Sequence, residues 1–380
     1  MTELEQQRCD RAFRLSTHVW IASLVFSIFV AEILALIVAA LWLWRRRGEP
    51  HTSTALDSPV LLFCLFRLVT IATALSPIAS LPALRKIPFM IIFFPLAHFA
   101  SREKSTGVIK LLRTLIVAAI VASMYGLLRM GGEGFERLHS TTSGPTTLAM
   151  LLAAGFVIGL ALIACEALKP KKIWLPGLAS MFTAMAFTFC RAPWLAACTV
   201  GLSSLLTYAR RTALLLLIGM IVILALLPGF RMRFAEVLQW PHAMGDRPVI
   251  WQKGWELVQA RPLLGYGPES FHLLFDRQEQ LKDRRVGAWH NFVLQLWVES
   301  GLLSVLVFGW IIWKAFYSGR IGAQVAPTQT ARVAARALFA GITTLLLAGL
   351  FGGFIGDPII DMLFWGMLGL LAGIDDSRLS

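Results

Sequence analysis

"GAWHNFVLQLWVESGLLS", residues 287–304, is apolar enough from its middle onward to continue as a membrane helix, yet it opens on Trp289-His290-Asn291. A titratable histidine therefore stands at the lip of a helix that goes on into lipid. Apolar runs of this kind recur along the chain at about 15–44, 58–79, 84–100, 106–128, 146–168, 173–190, 192–209, 212–228, 291–316, 333–356 and 358–374, separated by short polar or Pro/Gly-containing turns. Over 380 residues the sequence is 57% hydrophobic and only 15% charged, whereas about a quarter of an ordinary soluble domain is charged. The expected fold class is all-α, a polytopic integral membrane protein. The five cysteines are scattered and form no C-x-x-C pair, which suits core filling.

Lysine and arginine gather in "RRRGEP", "SREKSTGVIK", "KPKK", "ARR" and "YSGRIGAQVAPTQTARVAAR". Placing all of these in the cytoplasm satisfies the positive-inside rule with one alternation throughout. Arg8, Arg11 and Arg14 belong on the same side, so run 15–44 crosses an even number of times, as a short helical hairpin bent near Val30-Ala31-Glu32. About 12 transmembrane helices are expected in all. The N-terminus lacks a small-residue cleavage site and reads as a retained anchor. The chain then divides into N-terminal transmembrane helices at 1–228, a long outer loop with helical segments at 229–290, and C-terminal transmembrane helices at 291–380. Sixty-two residues is far above the usual connection length, and long loops are commonly functional. The loop carries nine Lys/Arg against seven Asp/Glu, so much of the +13 net charge is topological and no nucleic acid is implied.

His290 stands at the start of a helix, where unpaired backbone N–H groups disfavour an imidazolium. A neutral imidazole is what a general base needs. The plainer alternative is an interfacial histidine beside an interfacial tryptophan, both anchoring the helix at headgroup level. Glu299, nine residues on and about 13 Å deeper at the helical rise, must face protein or water and could tie the helix to a basic partner. In "CRAPWLAAC", Arg191 lies at an outer turn with Pro193 in the first turn of the next helix, an anion site or else a snorkelling arginine. Arg247 in "GDRPVIW" precedes a stretch that reads as lying along the membrane surface. No D-x-D pair, His-x-x-x-His or Cys/His cluster is present for a metal, and no P-loop for a nucleotide. A reaction on the outer face would then use an energised lipid-linked substrate.

These residues resemble the O-antigen ligase and polymerase superfamily, membrane glycosyltransferases of the C type (GT-C). R-x-x-x-L is present as Arg191 to Leu195, and H-[NSQ]-x9-G as His290-Asn291 with Gly301. Ser304 stands where the family usually has Gly, Thr or Tyr. The resemblance implies a Gram-negative inner-membrane enzyme with its active site on the periplasmic side, and makes 229–290 the periplasmic loop. It further implies an undecaprenyl-pyrophosphate-linked glycan donor, a lipid A-core acceptor, membrane lipids as surroundings, and neither cofactor nor metal. His290 would be the catalytic base, Arg191 and Arg247 would stabilise the leaving pyrophosphate, and Arg284 would help bind it. An O-antigen polymerase or protein O-oligosaccharyltransferase would use the same donor with another acceptor. A transporter would pair charges along a midplane route and show two related halves; buried acids occur at Glu32, Glu166, Glu299 and Asp361, but no repeat does.

Overall fold

The computed structural model describes residues 3–47, 53–133, 138, 144–208, 244–281 and 286–376. The expected run 212–228, the first part of the outer loop and Arg284 lie outside the described residues. The helices are α1 (Glu3–Ser23), α2 (Ile28–Arg45), α3 (Asp57–Ala72), α4 (Pro77–Ser80), α5 (Ile87–Ile91), α6 (Phe93–Glu133), α7 (Pro145–Ala164), α8 (Lys171–Phe187), α9 (Arg191–Tyr208), α10 (Arg247–Ala260), α11 (Phe271–Leu274), α12 (Phe292–Val325), α13 (Gln329–Gly352) and α14 (Pro358–Asp376). No strand occurs among the described residues. Among the described residues five stretches, at 28–45, 77–130, 145–164, 292–324 and 329–352, contain helix long and apolar enough to cross a membrane, and a shorter apolar helix lies at 358–374. The chain is an all-α polytopic membrane protein.

On α2, Phe29, Ile33, Leu36, Ile37 and Trp44 are exposed, while Ala31, Ala35 and Val38 are buried. Apart from the buried Trp42 and Arg45 near its end, the helix turns large side chains outward and small ones inward, the reverse of a soluble helix. In lipid no hydrophobic force separates the faces, so close backbone packing decides which one turns in. The same physics joins α14 to α6: a Cβ on Gly369 would stand 2.2 Å from Phe93 O, and one on Gly373 2.1 Å from Ala97 O. This four-residue glycine spacing lets the two backbones touch. Helix α7 is buried all round, from Thr147 to Ile163.

Two expected boundaries move. The hairpin in run 15–44 turns at 24–27, and Val30, Ala31 and Glu32 lie inside α2. Ser27 supplies the N-cap, its hydroxyl accepting from Val30 N–H, whereas nothing at 30–32 interrupts a helix. Run 58–79 leaves the helix after Ala72, because Pro77 disfavours helical backbone just before it and Leu75 N–H is taken by Tyr266 O at 2.9 Å. Runs 84–100 and 106–128 meet within α6, which Lys104 (φ 55°, ψ −176°) breaks into two limbs.

Polar contacts link the basic connections to one another. Arg45 pairs with Asp10 at 2.6 Å, Arg14 with Glu103 at 3.4 Å, and Arg113 bonds the carbonyl of Ala167. Arg336 reaches Ala323 O at 3.0 Å, and Lys314 reaches Ala55 O at 2.8 Å. These segments therefore share one end of the bundle. The other ends of α7, α8, α9, α12, α13 and α14 converge on a single cavity.

Candidate active site

Residues 244–281 and 286–290 form their own small core at that opposite end. Ile250, Val258, Phe271, Phe275 and Trp289 bury together against Val298 of α12. Trp289 is wholly buried, its ring 4.8 Å from that of Phe271. It is the centre of the loop's core and not an interfacial anchor. Trp251 Nε1 donates to Trp289 O at 3.0 Å, which fixes the backbone just before His290. Asn291 then caps α12, its Oδ1 accepting from Val293 and Leu294 N–H at 2.9 and 3.0 Å. His290 itself stands one residue before the cap.

Helix α12 breaks at Gly301 (φ 72°, ψ 177°). The groups freed by the break are taken up by the strap 262–267: Tyr266 N–H bonds Val298 O, Gly267 N–H bonds Glu299 O, and Leu302 N–H bonds Pro262 O, at 2.8–2.9 Å. This Pro/Gly-containing stretch is thus threaded into the helix. Its far side is fastened to the chain after α3 by Leu75 N–H to Tyr266 O, Ser80 Oγ to Pro268 O at 2.7 Å, and the Lys86–Glu269 ion pair. Beneath the strap, Glu299 lies 3.5 Å from Arg67, which also donates to Ser300 Oγ at 2.6 Å. Both partners are almost fully buried, so Arg67 is the basic partner that Glu299 requires.

A cavity of about 650 Å³ opens between these parts. Arg191, Arg247 and His290 all line it, from the α8–α9 corner, the first turn of α10 and the residue before the α12 cap. Arg247 is held by Phe351 O at 2.9 Å and Met244 O at 3.3 Å. Burial and the neighbouring Arg191 guanidinium push its pKa down, so an anion seated between the two would relieve both effects. Burial, then Arg247, lowers the pKa of His290 below 6.5, against hydrogen bonding to the Gly352 backbone and the charge of Asp246. The largest cause is desolvation, and the like charge of Arg247 comes second. The neutral imidazole so favoured is the form that can accept a proton.

The cavity also gathers residues that the sequence did not single out. Lys86 and Glu269 line it as a pair, and Gln295 and Asp357 line it from α12 and the α13–α14 turn. Asp357 caps α14 through Ile359 and Ile360 N–H and accepts the Thr147 hydroxyl; burial pushes its pKa up. Three lining residues with side chains hold left-handed backbone: Phe189 (φ 55°), Glu269 (φ 62°) and His290 (φ 53°). Such conformations cost about 1–3 kcal/mol each and collect where a side chain must be aimed. Among the described residues no group of three or more His, Cys, Asp or Glu is placed to hold a metal ion.

Residues 176–309, which include Arg191, Arg247, His290 and the α12 break, match the family model described as O-antigen ligase. Residues 176–309 thus carry an O-antigen ligase family segment. No curated protein matches it significantly. The family segment explains the spacing of H-N-x9-G in physical terms: Asn291 starts the helix, and Gly301 ends its first limb where the strap enters. Lys86 and Asp357 lie outside the family segment and reach the same cavity through the fold.

Proposed function

We propose that this protein belongs to the O-antigen ligase family and is an inverting GT-C glycosyltransferase that moves O-antigen polysaccharide from undecaprenyl pyrophosphate to lipid A-core oligosaccharide at the periplasmic face of the inner membrane. The observation that carries the reading is the convergence of Arg191, Arg247 and His290, far apart in sequence, on one cavity. Its position supports the sidedness: His290 precedes α12, whereas Lys314, 24 residues on, lies with the basic connections. At the helical rise that separation is about 36 Å for unbroken helix, on the scale of a bilayer core.

In this reading the acceptor hydroxyl oxygen attacks the anomeric carbon of the donor sugar from the face opposite the pyrophosphate. His290 takes the hydroxyl proton as the new C–O bond forms. The old bond from the anomeric carbon to the pyrophosphate oxygen breaks, and one displacement inverts the centre. Negative charge grows on the leaving group, where preorganised cations stabilise it most in a desolvated site. Arg191 and Arg247 supply planar donor forks there, and Lys86 adds a point charge once its contact with Glu269 loosens. Arg284 is retained as a proposed helper in donor binding.

Reconstitution with purified lipid-linked O-antigen and lipid A-core tests this. The expected product is lipopolysaccharide carrying the polysaccharide, with release of undecaprenyl pyrophosphate. Growth of the lipid-linked glycan with no product on lipid A-core would replace ligase with polymerase, and transfer to a protein acceptor alone would indicate an oligosaccharyltransferase.

A further inference from the structure

Gln295 lines the cavity one helical turn beyond Asn291, to which its backbone N–H is bonded at 2.9 Å. Its side-chain nitrogen has two partners, Glu299 Oε1 at 3.1 Å and the backbone oxygen of Ile355 at 3.0 Å. A backbone carbonyl can only accept, and so can a carboxylate paired with Arg67. The amide is therefore fixed in one orientation: flipping it would set its oxygen against two acceptors. Both N–H groups are used within the protein. The carbonyl oxygen that remains faces Gly353, which carries no side chain, and even a Cβ there would stand 3.5 Å away.

We infer that Gln295 Oε1 is a fixed acceptor for an O–H or N–H group of a sugar bound in the cavity, and so a specificity-determining contact of the transfer reaction. This rests on the proposed glycosyl transfer. The chemistry follows from the fixed orientation. An acceptor with no donor capacity left selects against anions and for hydroxyl groups, which every glycan carries, or for the N–H of an acetamido sugar. Its distance from the motif pair, one helical pitch of about 5.4 Å, is on the scale of one sugar ring, so the contact falls on the sugar at the reaction centre or the one it joins. The brace through Glu299 to Arg67 holds the acceptor rigid, so little ordering is needed when the sugar arrives.

Steady-state transfer by full-length Gln295→Met, with donor and acceptor varied separately, tests the inference. Methionine keeps length and volume and removes both polar functions. The expected result is a KM raised roughly three- to tenfold for one substrate, the worth of one neutral hydrogen bond, with kcat nearly kept. If the donor KM rises, the contact is to the donor's first sugar; if the acceptor KM rises, it is to the core sugar. A deoxy or des-acetamido analogue at the contacted position should then lose the same factor with wild type and nothing more with Gln295→Met. Unchanged KM for both substrates, with or without a lowered melting temperature, would make Gln295 only a brace for Glu299 and overturn the inference. Should the variant not fold, the analogue series on wild type decides: no position with a raised KM and retained kcat refutes the contact. Absence of any transfer by wild type would refute the proposed function itself, an outcome distinct from these.

Discussion

Gly301 and Leu263 touch backbone to backbone: a Cβ on residue 301 would stand 2.0 Å from the Leu263 carbonyl oxygen. The contact sits where α12 breaks and the strap enters, and Gly301 has φ 72° besides. Replacing Gly301 with alanine should therefore destabilise the protein by more than about 2 kcal/mol, because neither the backbone angle nor the space tolerates a side chain. A detergent melting curve checks this. An unchanged midpoint in Gly301→Ala would mean that the strap does not seat in the break.

The Arg67–Glu299 pair beneath the strap gives a second test. Arg67→Met should cost about 3–5 kcal/mol by leaving a buried carboxylate uncompensated. The double variant Arg67→Met/Glu299→Gln should recover part of that loss, since the charge is gone while the bond to Gln295 can remain. Equal melting temperatures for single and double variants would contradict the pairing.

Much of this architecture is legible in the sequence because lipid enforces it. Apolar runs must be helical, and the described basic connections that orient them meet at one end through Arg45, Glu103 and Lys314. Position alone left Arg191 and His290 open between anchor and site residue, and the R-x-x-x-L and H-N-x9-G resemblance drew them to the site; both line the cavity. The break at Gly301 was not, since its orphan carbonyls are satisfied by a strap more than thirty residues earlier, which leaves no local signal. Lys86 was hidden for a different reason: in a membrane protein a lysine that follows Arg85 at the edge of an apolar run reads as a topological charge. Gln295 and Asp357 carry no pattern at all, and only the packing of α13 and α14 onto α12 brings them to the cavity.

Sidedness is open to chemical labelling. In a cysteine-free background, a single cysteine at the exposed position His272 should react with an impermeant maleimide in intact spheroplasts, and one at Arg47 only after lysis. The reverse pattern would turn the site to the cytoplasm.

Arg191→Lys retains a charge in the cavity and loses the planar fork. A point ammonium cannot grip two pyrophosphate oxygens in the same way, so transfer should fall at least tenfold at matched protein level, measured as product formed per minute. Wild-type turnover would reduce Arg191 to a surface anchor.

The central claim is that His290 removes the acceptor proton, and it is tested most directly by measuring donor binding and transfer side by side on purified His290→Ala. Donor binding should persist, because Arg191 and Arg247 remain, while transfer falls by roughly 10²–10⁴, the usual worth of a positioned base. In wild type the rate should rise with pH through a pKa below 6.5 and then level off, since burial and Arg247 hold the imidazole neutral and only the neutral form accepts a proton. Normal donor binding with transfer above about a tenth of the wild-type rate, outside the range for loss of a base, would contradict the general-base role.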